Sequence, residues 1–352
     1  MTVGIVTLYN SFNCGSFLQA YATQEFLKSE GIFPVFCKNK NRKKYSFTIR
    51  FLIAMKYFCL GNFNRAKHLL KVYKNFKKAQ KHFKVTSNMK ILDTVIYGSD
   101  TIWYYQTDYF KNNWSHFFGA DYDGKKISFA ASIGSTDINY LSKQNFLSEQ
   151  INKFTHLSVR DPATYDYVKS VLKKDMNVMQ VVDPTMLLTR EKYESLAPVI
   201  DKKGYILFYY FSAIPKNVKN QVEEFAKKTG REIIVMGENL GWADRYVSND
   251  PFLMLSYYKN ADFVVTNTFH GNVFSLIFNK QFISFGKEKP KVVSLLDKFG
   301  LNARLCDTDS DFISLFDEKI DYEPINKSLD SMRKQSQDFL ISAIHKNTER
   351  EK

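Results

Sequence analysis

The sequence predicts an α/β protein made of two Rossmann-like halves with parallel sheets. Three observations carry that expectation. A length of 352 residues exceeds one domain of ordinary size. Apolar residues make up 44% of the chain and aromatics 16%, enough side chain to build cores that offset the ordering entropy of folding. Short apolar runs alternate with helical patterns, and each run ends in small or polar residues, as strands do where they give way to loops.

The elements follow in order. "VGIVTLYN" leads into "SFLQAYATQEFLKSEG", a helix closing on Gly31, and then into "FPVFC", which is a βαβ opening. "ILDTVIYGSD", "KKISFAASIG", "FTHLSVRD" and "MNVMQVVDPT" read as further strands. "LLTREKYESLAPVIDKKG" is a connector, so the first domain spans 1–195. A second set of strands and helices follows, from "YILFYYF" through "EIIVMGEN" and "DFVVTNT" to "QFISFG", giving a second domain over 196–322. The last segment, 323–352, places Leu329, Met332, Phe339 and Ile344 on one apolar helical face that packs back on the body.

The net charge of +14 is local. From Lys38 to Lys90 there are sixteen Lys and Arg and no Asp or Glu, so this insertion carries +16 and the rest of the chain −2 by difference. Within it "FLIAMKYFCL", Phe51 to Leu60, is far shorter than the roughly 20 residues that span a bilayer. After Gly61, the residues Phe63, Ala66, Leu69, Leu70, Tyr73, Phe76 and Phe83 recur at helical spacing, with Lys67, Lys71, Lys74, Lys78 and Lys81 on the other side. Two readings stand: a solvated lysine face on a helix packed against its domain, or contact with an anionic membrane surface. No RNA or DNA motif accompanies the charge, so nucleic acid is not an expected partner. Cys14, Cys37, Cys59 and Cys306 lie far apart without a Cys-x-x-Cys pair, which argues against a zinc cluster and a disulfide framework, and no metal site is expected. The start of the chain has no secretory-signal pattern, so the expected location is a reducing cytoplasm, peripheral on the inner face of the cell membrane if the basic helix meets lipid.

Gly-x-Gly-x-x-Gly after the first strand, the P-loop pattern and His-Glu-x-x-His are all absent. Candidate chemistry therefore belongs at the strand ends, where ligands gather in such sheets. His270 stands at one, after "DFVVTNTF" and before a helix expected to begin at Gly271 or Asn272. A helix N-terminus offers unpaired N–H groups and partial positive charge, Gly271 permits close approach of an anion, and a histidine there exchanges protons near neutral pH. The plainer alternative is a buried histidine that caps a turn.

Seven motifs in order, "YNSFNCGSFLQAYA", "VIYGSDTIW", "FAASIG", "LSVRDPATYDYV", "VVDPTMLL", "ADFVVTNTFHGNVFSLIF" and "LLDKFGL", make the chain resemble the polysaccharide pyruvyl transferase family over about 3–305. The resemblance implies a GT-B-like arrangement with the two sheets facing a cleft. It also implies phosphoenolpyruvate as donor substrate, without a cofactor, and a sugar hydroxyl pair of a cell-surface polysaccharide or lipid-linked oligosaccharide as acceptor. On this footing His270 is the acid, Asp100 the base and Arg160 a bidentate anion grip. The alternatives are a turn or cap role for Asp100 and a salt bridge to Asp161 or Asp166 for Arg160. The motifs further imply substrate contacts at Asn13, Gly15, Ser99, Trp103, Ser132, Thr268, Phe269, Gly271, Asn272 and Lys287. Many members carry an arginine two residues before the histidine; this chain has Thr268, and Lys287 or Lys289 is the expected replacement for the missing charge. Two other functions compete: a GT-B glycosyltransferase using a nucleotide sugar, with Asp297 or Asp307 as its ribose ligand, and a non-catalytic scaffold for polysaccharide assembly.

Overall fold

A computed structural model of the chain describes residues 1–39, 46–173, 175–237 and 241–346. Residues 40–45 of the basic segment and 347–352 of the C-terminal segment lie outside the described residues. The first sheet holds β1 (Val3–Val6), β2 (Val35–Cys37), β3 (Val85–Thr86), β4 (Thr94–Tyr97), β5 (Lys125–Ala131), β6 (His156–Val159) and β7 (Val178–Gln180), in the order β3-β2-β1-β4-β5-β6-β7. The second holds β8 (Tyr205–Tyr209), β9 (Ile233–Met236), β10 (Arg245–Val247), β11 (Ala261–Thr266), β12 (Gln281–Phe285) and β13 (Leu305–Cys306), in the order β10-β9-β8-β11-β12-β13. Every pairing is parallel, with Val3 to Val6 opposite Thr94 to Tyr97 in one register and Val264 to Thr266 opposite Leu207 to Tyr209 in the other. Helices cover both faces of such sheets, and β1, β4, β8 and β9 are accordingly buried along their whole length. The edge strands β3, β7, β10 and β13 are only two or three residues long, too short to show a periodic pattern in sequence.

The strand order reverses between β1 and β4 in the first sheet and between β8 and β11 in the second, the switch points at which open α/β sheets leave a crevice. Asn13 ends the loop after β1 and Cys14 to Ser16 open the helix that follows, Asp100 lies in the loop after β4, and His270 is in the first turn of the helix after β11. Between the sheets runs the helix Cys14–Ser29, with thirteen of its sixteen residues buried. Phe17 and Tyr21 on this helix meet Phe252, at the start of the helix Pro251–Asn260, edge-on at 5.7 and 5.2 Å. One apolar core is therefore shared by the two domains, and a separate core lies on the outer face of each sheet.

The helix Glu323–His345 returns to the first domain. Arg333 Nε donates to the Met186 carbonyl at 2.7 Å, the Val182 N–H donates to Ser336 Oγ at 3.1 Å, and Gln337 donates to the Leu187 carbonyl at 2.9 Å. These bonds fix residues 182–187, the segment that carries Asp183.

The basic segment forms a helical hairpin of Phe47–Cys59 and Phe63–Ala79. The second helix buries Ala66, Val72, Phe76 and Ala79, and Phe76 stacks on Phe12 at 5.2 Å. Most of its apolar stripe therefore faces the protein, with Phe63 exposed beside Phe58, while Lys67, Lys71, Lys74, Lys78 and Lys81 are exposed on the other side.

Candidate active site

The helix expected at Gly271 or Asn272 starts earlier, as Phe269–Ile277, because Thr268 caps it: its hydroxyl accepts from the Gly271 N–H at 2.8 Å. Gly271 is small for a packing reason rather than to admit an anion, since a Cβ there would lie 2.0 Å from Thr266 Oγ1 and 2.6 Å from Thr268 Oγ1. Thr268 is thus occupied as a cap. The Phe269 and His270 N–H groups, in the same first turn, find no partner among the described residues and lie at the positive end of the helix dipole.

The centre of the site is a carboxylate that the motif reading passed over. Asp183 follows β7 and is fully buried. Its Oδ2 accepts from Arg160 Nη1 at 2.7 Å, and its Oδ1 accepts from the Thr185 N–H at 3.0 Å and the Thr185 hydroxyl at 2.6 Å. His270 Nε2 stands 3.7 Å from the same Oδ1, an ion-pair distance beyond hydrogen-bond range. Burial pushes the Asp183 pKa up, but His270, Arg160 and Thr185 outweigh it and hold the carboxyl well below the usual range. Arg160, then, pairs with neither Asp161 nor Asp166. Asp161 is occupied instead as the cap of the helix Pro162–Val171. Arg160 spends one nitrogen on Asp183, and its Nε and Nη2 are buried with no partner among the described residues. The guanidinium lies 4.7 Å from the centre of the Phe269 ring, so the residue before His270 forms part of its seat.

Asp100 is buried after β4 with a left-handed backbone, φ 62°, uncommon for a residue with a side chain. Its Oδ2 accepts from Ser16 Oγ at 2.5 Å and its Oδ1 from the Thr101 N–H at 2.8 Å, so it caps no helix. Burial raises its pKa, while Arg160, His270, Ser16 and Lys291 lower it, with a net downward shift. Asn13 caps the helix Cys14–Ser29, accepting from the Ser16 N–H at 3.1 Å and so setting Ser16 toward Asp100. Gly15 is beside His270: a Cβ on it would stand 2.1 Å from His270 Nδ1. The structure thus brings Asn13, Gly15, Asp100, Arg160, Phe269 and His270 together from both domains, with Ser16 and Asp183 added.

Other expected residues lie elsewhere or are otherwise engaged. Trp103 is fully buried, donates its indole N–H to the Phe117 carbonyl at 3.1 Å and stacks on Phe118, which leaves no face for a ligand. Ser132 Oγ accepts from the Gly134 N–H at 3.0 Å; the buried Ser99 accepts at its carbonyl from Thr7 Oγ at 3.2 Å, while its own hydroxyl has no partner among the described residues. Asn272 is buried and donates to the Thr268 carbonyl at 2.8 Å. Lys287 does not reach the site: it pairs with Asp307 at 2.5 Å on the surface, and Lys289 donates to the Asn267 carbonyl at 2.7 Å. The lysine in place is Lys291, in a small cavity with Arg160, Asp161, Asp183 and Phe269, its Nζ 5.8 Å from the Phe269 ring. Burial and Arg160 lower its pKa, against the pull of Asp100, Asp183 and Asp161. Asp297 accepts from Asn302 at 2.7 Å, so both carboxylates considered as ribose ligands have protein partners.

A family model described as polysaccharide pyruvyl transferase matches residues 13–287. A search of the curated proteins finds no match. Among solved structures, UDP-GlcNAc 2-epimerase from Neisseria meningitidis is similar at TM-score 0.51 and 11% identity, over 99% of this chain and 100% of that one. A Listeria monocytogenes protein assigned as a UDP-N-acetylglucosamine 2-epimerase is similar at TM-score 0.54 and 9% identity, over 97% and 95%. The E. coli heptosyltransferase WaaC with ADP is similar at TM-score 0.42 and 15% identity, over 83% and 90%. At these identities the likeness to the two epimerase structures concerns the fold alone, an α/β, GT-B-like pair of parallel-sheet domains.

Proposed function

Because the chain belongs to the polysaccharide pyruvyl transferase family, we propose that its donor is phosphoenolpyruvate and its acceptor a hydroxyl pair on a capsule polysaccharide, an exopolysaccharide or their lipid-linked precursor. The observation that carries this reading is Arg160, which lines a small cavity with Lys291 and whose Nε and Nη2 are buried without partners among the described residues. Buried donors left unpaired are costly, and a carboxylate or phosphate satisfies them. The unpaired N–H groups of Phe269 and His270 add a second anion contact.

In this reading His270 delivers a proton to the methylene carbon of the donor, a sugar hydroxyl adds to the adjacent carbon, and Asp100 takes the hydroxyl proton. The second hydroxyl then displaces phosphate and closes the ketal; one proton ends on carbon and the other leaves with the phosphate. Asp183 lies 3.7 Å from Nε2, and Gly15 packs against the Nδ1 side of the ring, so the imidazole is held between the two domains. Asp100, with its lowered pKa, is ionised at neutral pH as a base must be.

We place the enzyme in the cytoplasm, peripheral on the inner face of the membrane, where a lipid-linked acceptor is presented. The acid-free basic segment supports that placement, and no helix among the described residues is long and apolar enough to cross a bilayer. The test is transfer of label from carboxyl-radiolabelled phosphoenolpyruvate to lipid-extractable or polymeric material from a producing strain. The expected result is label incorporated with release of phosphate, and none with His270→Ala. Transfer from a labelled nucleotide sugar instead, with none from phosphoenolpyruvate, contradicts the reading.

A further inference from the structure

The hairpin holds a feature that its lysines do not explain. Helix Phe47–Cys59 is apolar on nearly every side, yet Ala54 is its one buried residue, and Phe47, Phe51, Leu52, Ile53, Met55 and Phe58 are all exposed. A helix that is hydrophobic all round belongs inside a protein core or inside lipid. Monomeric soluble proteins rarely leave so many large apolar side chains contiguous in water. Its thirteen residues make about 20 Å, against a hydrocarbon core of about 30 Å, so it is too short to span a bilayer.

We propose that helix Phe47–Cys59 inserts into the interfacial layer of an anionic membrane, with the lysines of the Phe63–Ala79 helix holding the headgroups around it. The inference deepens the membrane-side placement proposed above and rests on it. Two observations select lipid as the occupant. A protein partner covers one face of a helix, whereas here the apolar side chains surround it and call for a medium that envelops it. A second copy of this chain is disfavoured, because the segment from Lys38 to Lys90 contains sixteen basic residues and no acid and would meet its own charge. That same charge complements anionic headgroups, each nearby Lys or Arg contributing about 1 kcal/mol.

The position of the hairpin gives insertion a consequence. Phe76 stacks on Phe12, three residues before the Gly15 that touches His270, and Asn75 donates to the Asn249 carbonyl of the second domain at 3.2 Å. Arg50, on the inserting helix, lies 4.6 Å from the ring of the same Phe12. A bilayer that receives the helix therefore sits beside the crevice, where the sugar of a lipid-linked acceptor is delivered.

Cys59, at the end of this helix, is the only exposed thiol of the four cysteines, so an environment-sensitive fluorophore attaches there without mutation. The unliganded protein is mixed with phosphatidylglycerol-containing vesicles, with pure phosphatidylcholine vesicles as control. The expected result is sedimentation with the anionic vesicles, a blue shift of the fluorophore, and partial retention in high salt. Phe51→Ser/Leu52→Ser/Met55→Ser, which alters only exposed side chains and should keep the wild-type melting temperature, is expected to lower partitioning about tenfold or more and to remove the salt-resistant fraction. Changing Lys67, Lys71, Lys74, Lys78 and Lys81 to Gln is expected to remove the low-salt attraction. Sedimentation without a blue shift overturns insertion and leaves only lysine contact. Absence of sedimentation even at low salt overturns both insertion and the peripheral placement; concentration-dependent dimerisation would then name a second copy as the occupant. No donor or acceptor is present, so these outcomes are independent of the phosphoenolpyruvate reading.

Discussion

Gly15 of the first domain and His270 of the second are in contact across the crevice, so close that a methyl group on residue 15 would overlap the imidazole at 2.1 Å from Nδ1. Helix propensity favours Ala over Gly by about 1 kcal/mol, and no left-handed backbone stands in the way at this position. Gly15→Ala is therefore expected to fold, since the His270 ring lies at the crevice rather than in a core and can be pushed out of line. A displacement near 1 Å at a reacting group costs about 10²-fold in rate. A loss of kcat far larger than the roughly 1–3 kcal/mol overpacking cost to stability would explain is the expected pattern; unchanged kcat would separate His270 from the chemistry.

His270→Ala should lose about 10²–10⁴ in kcat, the usual worth of positioned proton transfer. The side chain is 13% exposed and lies outside the three apolar cores, so denaturant unfolding should show only a small change. An unfolded variant would return His270 to the role of a turn-capping residue.

Arg160→Lys tests two consequences at once. The guanidinium is both a buried partner of Asp183 and the holder of two unused donors. A lysine keeps the charge but not the fork, so stability should fall by about 1.5–3 kcal/mol and donor KM should rise sharply. A stability loss with normal KM would leave Arg160 a purely structural residue.

Lys291→Gln is expected to raise donor KM about tenfold, and Lys287→Gln to leave it unchanged. The first shares a cavity with Arg160 and Asp183; the second is paired with Asp307 on the surface. Steady-state kinetics on the two variants decides between these lysines.

Asp183 gives the protein an acid-sensitive stability. Its folded pKa is depressed below an unfolded value near 3.9, so its contribution is complete above about pH 4 and is lost as pH falls further. Urea midpoints of the wild type should fall progressively as pH drops below about 4. Asp183→Asn, which strands Arg160, should cost about 3–5 kcal/mol at neutral pH and flatten that drop. An equally steep acid limb in the variant would assign it to other carboxylates.

The sequence revealed the architecture because its central strands are unbroken short apolar runs closed by turn residues: β1, β4, β8 and β11 are read directly from "VGIV", "TVIY", "YILFY" and "DFVV". His270, Asp100 and Arg160 were readable because each directly follows such a run. Asp183 stood in the quoted "VVDPT" at a strand end, but nothing local shows that it bridges Arg160 and His270, which come from different domains. Lys291 was hidden among four lysines between 280 and 291, since only the helix phase set after Pro290 turns it inward. Trp103 shows the opposite failure, a residue next to a site motif whose ring the fold needs for packing.

The most direct measurement is a thermal-shift titration of the unmodified protein with phosphoenolpyruvate and, separately, with UDP-sugars. A ligand that binds only the folded state stabilises it by about 2.7 kcal/mol at a hundred times its Kd. The account predicts a concentration-dependent rise in melting temperature with phosphoenolpyruvate that is abolished in Arg160→Lys, and none with UDP-sugars. A rise with a UDP-sugar and none with phosphoenolpyruvate would contradict it.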